Sequence, residues 1–294
     1  LKKASAYLRM ARPAGMVTSM ADVTAGVAIA GRFESGLDKN FINILLLCAG
    51  TAFLYAGGAI YYDVFNAKQD AIDHPDRSIP SGALSPRLVK PIGFILLLTG
   101  IALAGVGSNL GGFIALAIAF FILIYAKLAK SSPIFSPFFL GICRGLNLIL
   151  GISLVAFEMQ AWWFLGLIPI VYTYAVALIG YAKKSKHTKQ DLQIGAILYA
   201  TALGAILYQA NTNGELETTG IVLIAFALFI LVPLSNAIRY PSTGYIEKAA
   251  KAGTRYFILM DVAWSITFDS WLAAAIIGVL LVVFLWLLKI LPSA

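Results

Sequence analysis

Ten apolar runs, each of roughly twenty residues, follow one another along this chain, near 14–31, 41–62, 88–107, 112–129, 134–157, 161–181, 192–210, 218–238, 253–268 and 271–290. A run of that length, coiled as a helix, matches the hydrocarbon thickness of a bilayer. Lipid offers no partner to a backbone N–H or C=O, so each run must satisfy its own hydrogen bonds as a helix. The chain has 60% hydrophobic and 12% charged residues, against about 25% charged in a soluble domain. It therefore reads as an all-α, polytopic transmembrane bundle. The runs leave no room for a separate soluble domain, and residues 1–294 are read as one unit.

Charge is sorted between alternate connections. Lys2, Lys3, Arg9 and Arg12 precede the first run; Lys68, Arg77, Arg87 and Lys90, then Lys127 and Lys130, then Lys183, Lys184, Lys186 and Lys189, then Arg239, Lys248, Lys251 and Arg255 fill every second loop. With Lys289 this puts nineteen of the 22 Lys and Arg on one face, leaving Arg32 and Lys39 on the other and Arg144 within a span. That is the positive-inside pattern, and it accounts for the net charge of +8 without nucleic acid as a partner. It places the N-terminus and the basic loops on one side, cytoplasmic, stromal or matrix. Cys48 and Cys143 both lie in apolar runs, which argues against a disulfide framework or a thiolate metal site. No targeting segment is visible.

Four of the fourteen acidic residues, Asp63, Asp70, Asp73 and Asp76, follow the second run within fourteen positions. If the second helix continues through Asp70, then Asp63, Asn66 and Asp70 fall at i, i+3 and i+7 on one face. Three oxygen ligands at the water edge of a membrane helix suit a hard divalent cation that shares phosphate oxygens with a substrate. The same residues also read as a solvated, charged helix end. In the fifth run Arg144 and Asn147 stand one turn apart, where a guanidinium can take a diphosphate oxygen or a carboxylate bidentately. A structural clamp of Arg144 with Asp22 or Asp261 explains that charge equally, because an ionisable group within a span needs a partner. The loop after the sixth run holds Lys183, Lys184, Lys186 and Lys189 with Asp191 as its one acid. Ammonium groups cannot ligate a metal, but they can hold a diphosphate as point charges or touch lipid headgroups. His74 and His187 have no metal-like spacing and read as loop residues.

The segment from Tyr62 to Gly82 resembles the first aspartate-rich motif of the UbiA superfamily of intramembrane prenyltransferases, N-D-x-x-D-x-x-x-D followed by R-P-x-P-S-G. Asp63, Asp70, Arg77, Pro80, Ser81 and Gly82 stand at matching positions, while Tyr62, Asn66 and Ser78 depart. Arg12-Pro13 matches the start of that superfamily's first helix, with Gly15 in place of the usual Asn, and Cys143-Arg144-Gly145-Leu146-Asn147 is similar to its C-R-x-L-N pattern. The helix-one residues Arg12-Pro13-Ala14, Thr18, Ala21-Asp22 and Ala25-Gly26 resemble the EboC-like branch.

The resemblance implies a UbiA-like bundle of nine helices, against ten counted from the runs. It implies Mg²⁺ on Asp63, Asn66 and Asp70, catalysis through Asp63, Asp70 and Arg144, and substrate contacts from Arg77 and Asn147; Lys183 and Lys186 are added as substrate contacts on the charge of their loop alone. It also implies an isoprenyl diphosphate donor and a lipophilic or aromatic acceptor. The second aspartate cluster of full members is replaced by the lysine loop, a degenerate second metal motif. The competing expectation is a catalytically degenerate relative, a structural or lipid-, quinone- or pigment-binding subunit of a larger membrane complex. A transporter, resting on Asp22, Arg144 and Asp261, is a third reading.

Overall fold

The computed structural model describes residues 2–33, 37–132 and 135–291, the side chains from residue 6 on and, after the first loop, from residue 40 on. Among them there are helices and turns and no strand. In chain order the helices are α1 (Lys2–Ala11), α2 (Pro13–Ile29), α3 (Leu37–Phe65), α4 (Ala67–Asp73), α5 (Pro86–Gly107), α6 (Gly111–Leu128), α7 (Ser136–Ile152), α8 (Ala156–Trp162), α9 (Leu167–Tyr181), α10 (Thr188–Asn213), α11 (Leu216–Arg239), α12 (Thr243–Arg255), α13 (Ile258–Thr267) and α14 (Trp271–Ile290). Short 3₁₀ turns flank α9 at Trp163–Gly166 and Ala182–Lys184.

Among the described residues seven helical stretches are long and apolar enough to cross a bilayer, and the described part of each apolar run is largely helical. The ninth run does not make a span of its own. Its helix α13 has ten residues, about 15 Å at 1.5 Å per residue, because the chain turns at Tyr256 and Phe257 between α12 and α13. The integer count of nine or ten spans therefore dissolves into full helices and a half-length one. α12 is amphipathic and buries Ile246, Ala249, Ala252 and Gly253 against α9 and α11.

α3 is the central mast. Its spanning window is 67% buried, against 22–33% for the other six stretches. Small residues let its neighbours approach. A Cβ added to Gly50 would lie 3.0 Å from the carbonyl oxygen of Gly100, one on Gly57 2.9 Å from that of Gly93, and one on Gly107 3.1 Å from that of Asn43. The contact residues recur every seven positions on both antiparallel helices, the register of shallow left-handed packing. α2 and α7 meet more closely still: a Cβ on Gly26 would lie 2.1 Å from the Leu148 carbonyl oxygen, and one on Gly151 2.1 Å from that of Val23. Such contacts drive helix association where lipid tails are as apolar as the side chains.

Candidate functional site

The site begins where α3 ends. The helix does not run on unbroken through Asp70: it stops at Phe65, and Asn66 separates it from α4. The Asn66 side-chain amide donates to the Tyr62 carbonyl at 2.8 Å and to the Ala126 carbonyl at 2.8 Å, a side-chain bond that competes with the helical ladder and ties the end of α3 to the end of α6. Backbone bonds from Asn66 N–H to Tyr62 (3.1 Å) and from Asp70 N–H to Asn66 (2.8 Å) keep the turn compact. Asp63 and Asp70 consequently stay within each other's electrostatic field.

Each aspartate is met by cations. Asp63 Oδ1 accepts from Arg12 Nη2 at 2.7 Å, and the same guanidinium lies 4.7 Å above the Tyr62 ring, which in turn stacks on Tyr125. Arg12 adopts φ 50 and ψ 66, the left-handed region that non-glycine residues rarely enter. It joins α1 to α2, and its pairing with Asp63 and Tyr62 fixes that unusual corner. Asp70 is 1% exposed; its Oδ2 accepts from Arg77 Nη1 at 2.8 Å, and Lys130 Nζ lies 3.2 Å from Oδ1. Lys130 also bonds Asp73 Oδ2 at 2.8 Å. That bond holds the exposed Asp73 carboxyl below its ordinary pKa. Partial desolvation works against the Lys130 ammonium, but the bonds to Asp73 and Asp70 outweigh it and raise its pKa.

A second polar group lies deeper. Arg144 of α7 donates to Asp22 Oδ2 at 2.9 Å and to Thr18 Oγ1 at 2.6 Å, and its guanidinium stacks 4.6 Å from the Phe257 ring centre. Asn147 donates to the same Asp22 oxygen at 3.2 Å and accepts from Thr51 at 2.7 Å. The clamp of Arg144 with Asp22 is thus present. Arg144 and Asn147 also border a small recess together with Thr51, Leu54, Tyr55, Ile118, Ile122, Leu140 and Cys143. Tyr55 links the two levels: it is an electrostatic neighbour of both Arg12 and Arg144.

The lysine loop packs elsewhere. Its 3₁₀ turn lies on α9, α10 and α12, where Lys183 pairs with Glu247 at 3.1 Å and holds that exposed carboxyl below its ordinary pKa. Lys186, His187 and His74 are exposed. Sequence reading overlooked three residues that the structure brings into play: Lys130, Tyr55 and Thr51. A signal for the last two exists, because Thr51, Tyr55, Tyr62 and Asn66 follow helical spacing along α3.

The donor set suits a hard cation. Asp70 Oδ1 is a buried carboxylate oxygen whose near partner is the Lys130 ammonium at 3.2 Å, Asp63 adds a second carboxylate, and both are oxygen ligands of the kind divalent cations select. Among the described residues no three His, Cys, Asp or Glu side chains converge as a ligand set. Two carboxylates would therefore have to share any such ion with phosphate oxygens and water. Asn66 turns its amide hydrogens to two backbone carbonyls, so it acts first as the clasp between α3 and α6.

A model of the UbiA prenyltransferase family matches residues 20–293. The chain belongs to that family. Digeranylgeranylglyceryl phosphate synthase of Methanothrix thermoacetophila is 25% identical over 227 residues, 77% of this chain and 80% of the relative. The synthase of the same name from Methanoregula boonei is 34% identical over 130 residues, 44% of each chain. Two solved structures share the fold: a digeranylgeranylglyceryl phosphate synthase with a TM-score of 0.67, 18% identity and 91% of this chain covered, 99% of its own, and an apo UbiA homolog from Aeropyrum pernix K1 with a TM-score of 0.69, 14% identity and 86% covered, 97% of its own. These comparisons carry the UbiA family and not the EboC-like branch.

Proposed function

We propose that this UbiA family member moves an isoprenyl group from an isoprenyl diphosphate to a lipophilic acceptor. One observation carries the reading: two carboxylates and three cationic side chains, Arg12, Arg77 and Lys130, are gathered at the end of α3, one level above a recess bordered by Arg144. A diphosphate needs such a mixed set, with cations for its own oxygens and carboxylates for the counter-ion it brings. Asp63 and Asp70 would hold Mg²⁺, which supplies charge neutralisation on the leaving diphosphate.

The protein's own residues do the rest. Arg12 and Arg77 are half-buried and already oriented by the aspartates, so they meet phosphate oxygens with little reorganisation, which is how preorganised charge lowers a barrier. As the allylic C–O bond breaks, negative charge grows on the diphosphate where these groups stand. The ring of Tyr55, which neighbours both Arg12 and Arg144, can stabilise positive charge on the departing isoprenyl group. Arg144 and Asn147 line the inner end, and the lysine loop, with Lys183 and Lys186, supplies point charges from the α9 to α10 side in place of a second acidic cluster. The positive-inside pattern puts this opening on the cytoplasmic, stromal or matrix side.

The relatives are named for making digeranylgeranylglyceryl phosphate, so a glyceryl phosphate carrying one geranylgeranyl chain belongs among the acceptors tried, beside aromatic ones. The test is calorimetry and diphosphate release with purified protein, Mg²⁺ and the geranyl to geranylgeranyl diphosphates. Mg²⁺-dependent binding, with release once an acceptor is supplied, supports the proposal. No binding across the series sinks it in favour of a structural subunit.

A further inference from the structure

Three charged side chains, Asp22 of α2, Arg144 of α7 and Asp261 of α13, meet inside the bundle, and only two of their charges can cancel. Asp22 and Asp261 are each 1% exposed. Arg144 and Asn147 both bond Asp22 Oδ2. The other Asp22 oxygen, Oδ1, and Asp261 Oδ2 are buried and accept no hydrogen bond. Yet the two carboxyl groups lie within hydrogen-bonding reach of one another. The chief charged or titratable neighbours of Arg144 are Asp22, Tyr55 and Asp261.

Ionised carboxylate oxygens only accept hydrogen bonds, so two that face each other away from water repel and leave both unsatisfied. With both groups ionised, the cluster carries one uncompensated negative charge. With both protonated, the Arg144 guanidinium loses its counter-ion. One proton resolves both problems: it makes one carboxyl a donor to the other and brings the cluster to neutrality. We infer that Asp22 and Asp261 share a single proton, and that Asp261 is thereby a positioning residue that steadies the Asp22 carboxylate, which in turn holds Arg144 against the recess. The shared proton stands independently of the proposed function; the effect on diphosphate binding rests on it.

The experiment is infrared spectroscopy of the purified protein at neutral pH, with ¹³C-labelled aspartate to assign the carbonyl stretch of a protonated aspartic acid. The wild type should show such a band, and Asp261→Asn should lose it. Absence of the band in the wild type, or its persistence in Asp261→Asn, overturns the shared proton. For positioning, Asp261→Asn retains an N–H donor toward Asp22 and should keep isoprenyl diphosphate affinity within about threefold, whereas Asp261→Leu should weaken it about tenfold or more. Equal effects from the two substitutions overturn the positioning role. Should Asp261→Leu fail to fold, a loss of more than tenfold in the near-isosteric Asp261→Asn does the same. A wild type that binds no diphosphate speaks against the proposed function, and the band still decides the proton.

Discussion

Replacing Gly151 by Ala tests whether close helix approach is what assembles the Arg144 cluster. The new Cβ would lie 2.1 Å from the Val23 carbonyl oxygen and 2.8 Å from Gly26 Cα; both are backbone atoms that no side-chain rotation can move. Restoring ordinary contact at about 3.4 Å requires α2 and α7 to part by about 1.3 Å near this point. The Arg144 to Asp22 distance of 2.9 Å would then approach about 4.2 Å, beyond hydrogen-bonding range. Overpacking costs about 1–3 kcal/mol and a broken buried ion pair about 3–5 kcal/mol. Side-chain adjustment recovers part of the second, so a net loss of about 2–4 kcal/mol is expected. Gly204→Ala is the control, since nothing lies within 4 Å of a Cβ there, and helix propensity keeps it within about 1 kcal/mol of the wild type. Thermal unfolding in one detergent, with isoprenyl diphosphate calorimetry, measures both. Equal stability and equal binding for the two variants would refute the argument that Gly26 and Gly151 hold the charged cluster together.

Other outcomes follow from the same geometry. Asp63→Asn and Asp70→Asn should each reduce Mg²⁺-dependent turnover by about 100-fold or more while leaving a folded protein, checked by diphosphate release and unfolding curves. Arg144→Leu should cost about 3–5 kcal/mol in unfolding experiments, because Asp22 is left buried without its counter-ion. Lys183→Gln with Lys186→Gln should lower turnover about tenfold with an unchanged Mg²⁺ requirement, measured in the same release assay. The Lys130 to Asp73 contact has a pH window. Asp73 is depressed below its ordinary value of 3.8, so its contribution is present above that pH and is lost as pH falls through the lower folded value. Lys130 is raised above 10.5, so its contribution is present below that pH and is lost as pH rises through the higher folded value. Asp73→Asn should accordingly shift the unfolding temperature between these limits and make no difference in stronger acid.

Membrane helices announce themselves because lipid forces long apolar runs, and the described part of each of the ten runs is largely helical. What the runs hide is where a helix bends. Residues 253–268 read as one span, yet Tyr256 and Phe257 separate two helices whose directions are set by packing on α2, α9 and α11 rather than by local propensity. Asp63 and Asp70 were legible as a pair from charge at a helix end. Asn66 shared their spacing but turned its amide to carbonyls of α3 and α6, a choice that depends on a helix sixty residues away in sequence. Arg12 was visible as half of an Arg-Pro pair, whereas its bond to Asp63 spans 51 residues and arises only when α1 and α2 turn at a left-handed corner. The glycines of α3 and α5, seven apart on each helix, were readable in principle. Their spacing is a pattern between two segments, which reading one segment at a time does not reveal.

The meshing of α3 with α5 also couples chemistry to membrane thickness. α5 is largely lipid-facing, and hydrophobic mismatch is relieved chiefly by helix tilt; with carbonyl oxygens of each helix seated over glycines of the other, α5 cannot tilt without carrying α3. α3 holds 29 residues, so its end lies roughly 20 Å from its midpoint, and a tilt of about 5° would carry Asp63 sideways by nearly 2 Å. Asn66 ties that same end to α6, which resists the movement. Bilayers of different acyl length would then act on the distance between Asp63 at the end of α3 and Arg12 at the corner of α1 and α2, making lipid composition a control on turnover that touches no residue of the site.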